Sequence, residues 1–281
     1  MITRRHIVAG GLGSLIAGPL PLSAAASLQQ SDLLNTYVRL AGSHDDRLII
    51  WWMDGVRYGV VDAVAKPLYG MKVGMFHKYY RQPDDSFLIA FFELTYYTDL
   101  QTGELLTEFN NPYTGETNKV RQVRLGPEVR RLTENGLTPP EGKGLKDYIR
   151  NYDNSLGPAV IRDDSMWIPS SVEATIKFPK PTAPTIQLNL YTTVSGSLTD
   201  ATNKNLASAD CSVSFTNILR WEPWMKMGEH AGHMMSKADG KKMERVSELP
   251  DDYMKCAQAA HPKYINNPEA ALAKLMQNIS Q

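Results

Sequence analysis

Cysteine is nearly absent from this sequence of 281 residues. Only Cys211 and Cys256 occur, and neither belongs to a CxxC motif. This scarcity excludes a disulfide-rich scaffold and gives no sign of a thiolate metal site or a thiol-redox site. Cys211 opens a strand-like run and Cys256 lies in a helical one, so two buried free thiols are favoured. Sequence alone leaves their pairing open.

The sequence also lacks an excess of charge and, beyond its start, a long apolar run. The formal net charge is zero, and residues 1–26 contribute only Arg4 and Arg5, which leaves 28 basic and 30 acidic residues. Such a balance provides no basic surface for nucleic acid or anionic lipid. No later segment approaches the ~18 apolar residues of a membrane-spanning helix. We therefore expect neither nucleic acid nor, after removal of a signal, a membrane as partner.

The first 26 residues have the features of an export signal. They read MITRR, then HIVAGGLGSLIAGPLPL, then small residues at 24–26, which is the order of a basic region, an apolar region and a cleavage site. Thr3-Arg4-Arg5-His6-Ile7 also resembles a twin-arginine signal. We expect a periplasmic protein whose mature part is residues 27–281. An ordinary secretory signal and an uncleaved anchor stay open as alternatives.

The rest of the chain predicts a single, mainly β domain. Apolar residues at helical spacing over 27–45 predict one helix that ends near Gly42. Strand-like runs separated by turn residues follow, and Asp54-Gly55 is predicted to be one of the tight turns. About nine strands without βαβ alternation favour an antiparallel β-barrel or a strongly curled sheet, with helices at both termini. Such a barrel can hold one small ligand.

Two segments depart from this strand pattern. Residues 125–165 are polar and contain glycine and proline, which predicts a long loop acting as a lid, a binding loop or an oligomer contact. From Trp224 onwards a helical C-terminal tail is expected, with Ser247 and Asn267 as helix N-caps. The oligomeric state stays open, and a homo-oligomer is one alternative.

The tripeptide TGE occurs twice, at 102–104 and 114–116, within YYTDLQTGELLTEFNNPYTGET. The segments around it, 99–103 and 110–115, are rich in Gly, Asn, Asp and Pro, which favour turns. A spacing of twelve residues fits one strand plus one turn. Neither GxGxxG nor GxxxxGK[ST] occurs, so these segments are predicted to be hairpin turns rather than a phosphate site.

The same region resembles the signature of DUF1838, a family of exported bacterial proteins of unknown function. The similar positions are Glu93, Tyr97, Asp99, the two TGE tripeptides, Phe109 and the NPYTGE element. Similar pieces are WWMDGVRYGV, RWEPWMKMG and ELP…HPKY, so the resemblance spans roughly residues 30–265. It implies one β-rich domain and no particular activity. Phe109 stands where the family pattern has tryptophan, and residues 125–127 also depart from it.

One predicted hairpin brings ionisable and aromatic groups together. His77, Tyr79 and Arg81 share a strand face with Met71, Val73 and Met75, while Phe87, Ile89, Phe91, Glu93 and Tyr97 share a face of the next strand. A turn at residues 83–85 pairs residues whose numbers sum to about 168, which places Met75 opposite Glu93. We expect Glu93 or His77 to act as general base and Arg81 and Tyr97 to stabilise negative charge or donate a proton. A structural Glu93–Arg81 ion pair is the alternative.

Further residues are candidates for substrate binding. Aromatic walls suit flat or hydrophobic ligands, and adjacent Trp51 and Trp52 must face opposite sides of a strand. The predicted substrate-binding set is Trp51, Tyr79, Asn110, Arg121, Trp167 and Trp221. Core filling is the alternative for any one tryptophan.

We expect an enzyme that acts on a small hydrophobic or aromatic molecule by cofactor-independent acid/base chemistry, as a lyase or isomerase. A non-catalytic periplasmic binding protein is the alternative. A metal-dependent hydrolase at His230 and His233 is a second one, although these residues lack the HExxH pattern and Gly228 and Gly232 argue against a stiff helix. No metal and no cofactor are included in the expected site.

Overall fold

The computed structural model describes residues 28, 30–139, 145–178 and 185–279. The expected export signal, residues 1–26, lies outside the described residues. No helix in the described ranges has the length and apolar character needed to cross a membrane.

Thirteen strands and five α-helices make up the described chain. The strands are β1 (Ile49–Val61), β2 (Val64–Arg81), β3 (Phe87–Thr98), β4 (Glu108–Asn110), β5 (Thr117–Lys119), β6 (Val123–Thr133), β7 (Gly136–Leu137), β8 (Ile149–Leu156), β9 (Val160–Arg162), β10 (Ser165–Ile176), β11 (Ile186–Ser197), β12 (Ser212–Leu219) and β13 (His233–Met243). The helices are α1 (Gln30–Ala41), α2 (Leu198–Thr202), α3 (Asp251–Ala260), α4 (Pro262–Ile265) and α5 (Pro268–Ile279), with short 3₁₀ helices at Leu145–Tyr148, Pro223–Met225 and Val246–Glu248.

Eleven of these strands form one antiparallel sheet that curls nearly into a barrel, as predicted. Its order is β7-β6-β3-β2-β1-β13-β12-β11-β10-β8, with β9 beside β10. The edge strands β7 and β8 meet through side chains, because Tyr152 Oη and Asn154 Nδ2 each donate to the Leu137 carbonyl at 2.6 Å. The barrel therefore has a seam without a backbone ladder.

The terminal helices cover one end and one outer face of the barrel. Leu33 and Leu40 of α1 approach Gly157 and Gly196 on one side, while the Tyr79 ring lies against Gly42 on the other, so α1 crosses one end. Helices α3–α5 pack on the outer face of β1, β2, β3 and β6 around a second apolar cluster. Strand β3 is thus buried on both faces, and Glu93 is its single residue that is not fully buried.

The predicted tight turn at Asp54-Gly55 is wrong. Both residues lie inside β1, and the turn is at Asp62 and Ala63, whose φ angles are 49° and 62°. Gly55 serves close strand packing instead, because a Cβ there would lie 2.2 Å from the Lys237 carbonyl oxygen. Long pairing of β1 with both β2 and β13 overrides the local turn preference of Asp-Gly.

The predicted long loop at 125–165 is also wrong over its described part. Residues 123–133, 136–137, 149–156 and 160–162 are strands, and residues 140–144 lie outside the described range. Strand β8 forms the sheet edge, with one neighbouring strand. Half of its side chains are exposed and polar, so its sequence lacks the apolar periodicity of a buried strand.

The C-terminal predictions hold in part. Asn267 caps α5, as its side chain accepts a hydrogen bond from the Ala270 N–H at 3.0 Å. Ser247 is not a cap, because α3 begins at Asp251 after Pro250. The region after Trp224 contains three α-helices, as expected, but it also contributes β13, a central strand of the sheet. Both cysteines are free thiols, Cys211 buried and Cys256 partly buried.

Candidate functional site

The barrel encloses a cavity of about 470 Å³. Its wall is apolar over most of its area, with a few ionisable groups, which is typical of a small-molecule site. Leu125 and Ile186 belong to the wall and are 49% and 38% exposed, so they mark the mouth. At the opposite end, Tyr37 of α1 reaches the wall.

One wall of the cavity is the predicted β2–β3 hairpin. The register pairs Arg81 with Phe87, His77 with Phe91 and Met75 with Glu93, so paired numbers sum to 168 as predicted. The predicted inward faces are confirmed for the middle of these strands, where the residues on the wall are Met71, Val73, Met75, His77, Tyr79, Ile89, Phe91, Glu93 and Thr95. Three residues predicted on the same faces do not line the wall: Arg81, Phe87 and Tyr97.

Glu93 is an acid in the cavity, and no cation of the described residues contacts it. Its one hydrogen bond within the described chain comes from Thr95 Oγ1, 2.6 Å from Oε1. Burial raises the pKa of the Glu93 carboxyl, while the Thr95 hydrogen bond and the charges of Arg57 and Arg130 oppose this shift. Glu93 is therefore poised to exchange a proton closer to neutral pH than an ordinary glutamate.

Arg57 brings a buried positive charge to the wall near Glu222 and Asn217. Its Nη2 donates to Tyr97 Oη at 2.9 Å, and its Nη1 lies 3.3 Å from Asn217 Oδ1. Tyr97 Oη donates in turn to Glu222 Oε1 at 3.0 Å, and Glu222 lies 3.8 Å from Arg57 Nη2. Burial opposes the charge on Arg57, but Tyr97, Tyr69 and Glu222 together raise the pKa of its guanidinium. The arginine stays charged.

Glu128 and Arg130 add a second ion pair to the wall. The two residues lie on β6, and Arg130 Nη2 is 2.6 Å from Glu128 Oε1. Both side chains are largely buried, and the guanidinium lies 5.2 Å from the centre of the Phe91 ring. A break in the β3–β6 register at the cis Gly126–Pro127 peptide bond precedes this pair.

His77 is held between aromatic rings. Its ring centre is 5.2 Å from that of Trp51 and 5.9 Å from that of Phe91. Burial lowers the pKa of His77 to about 3, so the imidazole is neutral at ordinary pH. A group with this pKa accepts a proton poorly, which makes Glu93 rather than His77 the better candidate base.

The positions of Arg81 and Tyr97 do not fit their predicted roles. Arg81 is exposed at the end of β2 and pairs with Asp85 at 2.7 Å, so the alternative Glu93–Arg81 ion pair is wrong. Tyr97 is fully buried behind Arg57 and is not on the cavity wall. Burial raises the pKa of Tyr97, and both of its hydroxyl contacts are to protein groups.

The predicted substrate-binding residues divide into two groups. Trp51 and Tyr79 are on the cavity wall, whereas Trp52 faces the outer cluster as expected. Four others are away from the wall because they lie on the outer face of a strand or outside the barrel strands: Asn110, Arg121, Trp167 and Trp221. Trp221 packs on Tyr113, with ring centres 5.1 Å apart.

The two TGE segments are hairpin turns, as predicted. Gly103 and Gly115 have φ angles of 71° and 73°, and each donates its N–H to a carbonyl four residues earlier. The segment that follows the second turn contacts the end of β3. The Gln122 side chain accepts from the Tyr97 N–H at 2.7 Å and donates to the Leu106 carbonyl at 2.8 Å.

The two histidines of the hydrolase alternative do not share a helix. His230 lies in an exposed loop and His233 begins β13, with Gly228 and Gly232 at positive φ. Within the described ranges, no three His, Cys, Asp or Glu residues form a group that could hold a metal ion.

Arg57, Glu128, Arg130, Asn217 and Glu222 were missed by the sequence analysis. One signal for Arg57 was available, because it follows Trp51 and Met53 in steps of two and so shares their strand face. Because a turn was predicted at Asp54-Gly55, the alternation was not extended from Met53 to Arg57.

Comparison with known proteins agrees with the signature described above. A model of the family described as "Protein of unknown function (DUF1838)" matches residues 45–279. No curated protein and no solved structure matches the chain. The match covers most of the sequence and the whole barrel, and the chain therefore belongs to the DUF1838 family.

Proposed function

We propose that the protein is an enzyme that moves a proton on a small hydrophobic or aromatic molecule bound inside the barrel, as a lyase or isomerase. The observation that carries this proposal is Glu93, a carboxyl with a raised pKa that lies in an apolar cavity and contacts no cation among the residues the structure describes. A structural carboxylate in such a place would be expected to have an ion-pair partner.

Glu93 acts as the base in the proposed reaction. It takes a proton from a carbon of the bound molecule and returns it to another carbon in an isomerisation, or to the leaving group in an elimination. Arg57 takes the electrostatic role first assigned to Arg81. It is the more deeply buried of the two guanidiniums on the described wall, and it would stabilise negative charge on a substrate oxygen. Tyr97 and Glu222 position Arg57 through their hydrogen bond and ion pair.

The test compares Glu93→Gln with wild type and with a matched control, Glu229→Gln. Glu229 is exposed and absent from the cavity wall, so its variant makes the same chemical change outside the site. A thermal-shift screen of residues 27–281 against aromatic and other hydrophobic metabolites identifies ligands, and mass spectrometry shows which ones are converted. We expect Glu93→Gln to lower kcat about 10²–10⁴-fold with nearly unchanged Kd. Unchanged turnover in this variant would contradict the proposal.

A non-catalytic binding protein is the second candidate, and the enclosure of the cavity by α1 favours it. In that case Glu93 only exchanges hydrogen bonds with the ligand, and no ligand is altered by the wild-type protein. A hit that stays intact over long incubation, with affinity that depends on Glu93, would support this function instead.

We also propose export to the periplasm, on the basis of the twin-arginine-like start of the sequence. Replacing both Arg4 and Arg5 by Lys in the full chain should leave the protein in the cytoplasmic fraction if the twin-arginine route is used. Unchanged export of this variant would favour the ordinary secretory route.

A further inference from the structure

On the described part of the cavity wall, carboxyl groups outnumber guanidinium groups. Among the described residues, the wall carries two guanidiniums, Arg57 and Arg130, and three carboxyls, Glu93, Glu128 and Glu222. Arg130 pairs with Glu128 at 2.6 Å, and Arg57 lies 3.8 Å from Glu222. Each of these guanidiniums thus has a carboxylate partner, and Glu93 is the described carboxyl of the wall that has no guanidinium partner.

No other described residue on the wall supplies a positive charge to Glu93. The described wall contains no lysine, and His77 is neutral between its aromatic neighbours. The strand partners of Glu93 are Met75 and Leu125, both apolar. Thr95 provides one neutral hydrogen bond to Oε1, and Oε2 receives none from the described residues.

The groups around Glu93 suit an organic cation. Phe91 lies two residues before it on the same strand face, and its ring already has the Arg130 guanidinium 5.2 Å from its centre. The thioether of Met75 is soft and polarisable. Aromatic faces and a carboxylate in an apolar cavity are the features that recognise ammonium groups. An anionic ligand would instead meet two arginines that are already paired and one unpaired carboxyl.

We propose that the molecule bound in the cavity carries a single positive charge, an amine or other cationic nitrogen that pairs with Glu93 while its hydrophobic body fills the barrel. This inference deepens the proposed function and rests on it in one respect, the direct contact of Glu93 with the bound molecule. A cationic nitrogen also makes neighbouring C–H bonds more acidic, so the carboxylate that binds the charge is suitably placed to accept the proton.

The experiment uses two probes of the same shape, phenyltrimethylammonium and its uncharged carbon isostere, tert-butylbenzene. The quaternary nitrogen has a fixed charge, so its ionisation does not change during the measurement. Dissociation constants are measured by calorimetry at mildly alkaline pH, which favours the ionised form of Glu93. The proteins are wild type, Glu93→Gln and the Glu229→Gln control.

We expect wild type and the control to bind the ammonium at least about tenfold more tightly than the isostere, the size of one partly desolvated charge contact. Glu93→Gln should lose this preference. Equal or weaker binding of the ammonium by wild type, a preference that survives Glu93→Gln, or no ammonium binding at all overturns the inference. The wild-type ratio alone decides if Glu93→Gln does not fold.

The inference and the proposed function fail in different ways. Glu93-dependent turnover of an uncharged substrate, without ammonium preference, would overturn the inference and leave the function standing. An ammonium preference that depends on Glu93, with no converted ligand, would leave a binding protein for hydrophobic amines.

Discussion

Tyr69 and Tyr97 provide a matched pair for measuring how the Arg57 cluster is held in place. Both side chains are fully buried, and their ring centres are 4.8 Å apart. The Tyr97 hydroxyl accepts from Arg57 at 2.9 Å and donates to Glu222 at 3.0 Å, whereas the Tyr69 hydroxyl has no hydrogen-bond partner among the described residues. Replacement by phenylalanine therefore removes two bonds to charged groups at one position and none at the other.

The expected costs follow from this difference. A hydrogen bond to a charged group contributes about 1.5–3 kcal/mol, and two bonds that share one hydroxyl are not additive, so Tyr97→Phe should cost about 2–4 kcal/mol. For a chain of this length that corresponds to a fall in Tm of roughly 4–8 °C. Tyr69→Phe removes an unsatisfied buried hydroxyl and should be neutral or slightly stabilising.

The assay is urea unfolding of residues 27–281 followed by tryptophan fluorescence, with Tm from calorimetry as the second measure. Equal losses of stability in the two variants would refute the reasoning, because ring packing rather than the hydroxyl network would then dominate. A larger loss for Tyr69→Phe would refute it more directly.

Three further predictions concern the barrel and its helices. Gly55→Ala should cost about 1–3 kcal/mol or more in urea unfolding, since its Cβ would meet the Lys237 carbonyl at 2.2 Å, and a near-neutral result would contradict the strand packing described. Burial lowers the pKa of His77 to about 3, below its unfolded value, so the free energy of unfolding should fall as pH drops from about 6.5 towards 3. Replacing His77 by Phe should reduce this slope by up to about 1.4 kcal/mol per pH unit. An unchanged slope would contradict the lowered pKa of His77. Asn267→Ala should lower stability by about 1 kcal/mol through loss of the α5 cap, unless α5 melts independently of the barrel, which hydrogen exchange would show.

The β2–β3 wall was predictable because its two strands alternate along their full length and have one short turn between them. The face that carries Met75, His77 and Glu93 follows directly from period-two spacing, and the turn fixes the register. Arg81 was misplaced because alternation gives the side of a strand but not where the strand ends. At the last residue of β2, the side chain reaches solvent and Asp85.

Strand β13 and the inward position of Arg57 depend on contacts distant in sequence. The stretch HMMSKADGKKM has few residues with strong β propensity, yet it lies between β1 and β12. Gly240 is required there because a Cβ would lie 1.9 Å from the Trp52 carbonyl oxygen. Pairing with β13 keeps β1 extended through Asp54-Gly55, and the Arg57 side chain therefore faces the cavity. Local turn and strand preferences contain no information about that neighbour.

The account depends most on Glu93 being the polar contact of a molecule bound inside the barrel. The direct measurement is a crystal structure of the protein with its tightest ligand from the thermal-shift screen. We predict density in the cavity between the β2–β3 wall and Arg57, with a polar atom of the ligand within hydrogen-bond distance of Glu93. Density in the outer groove beside α1, lined by Arg39, His44 and Arg81, with the barrel cavity empty, would contradict the account.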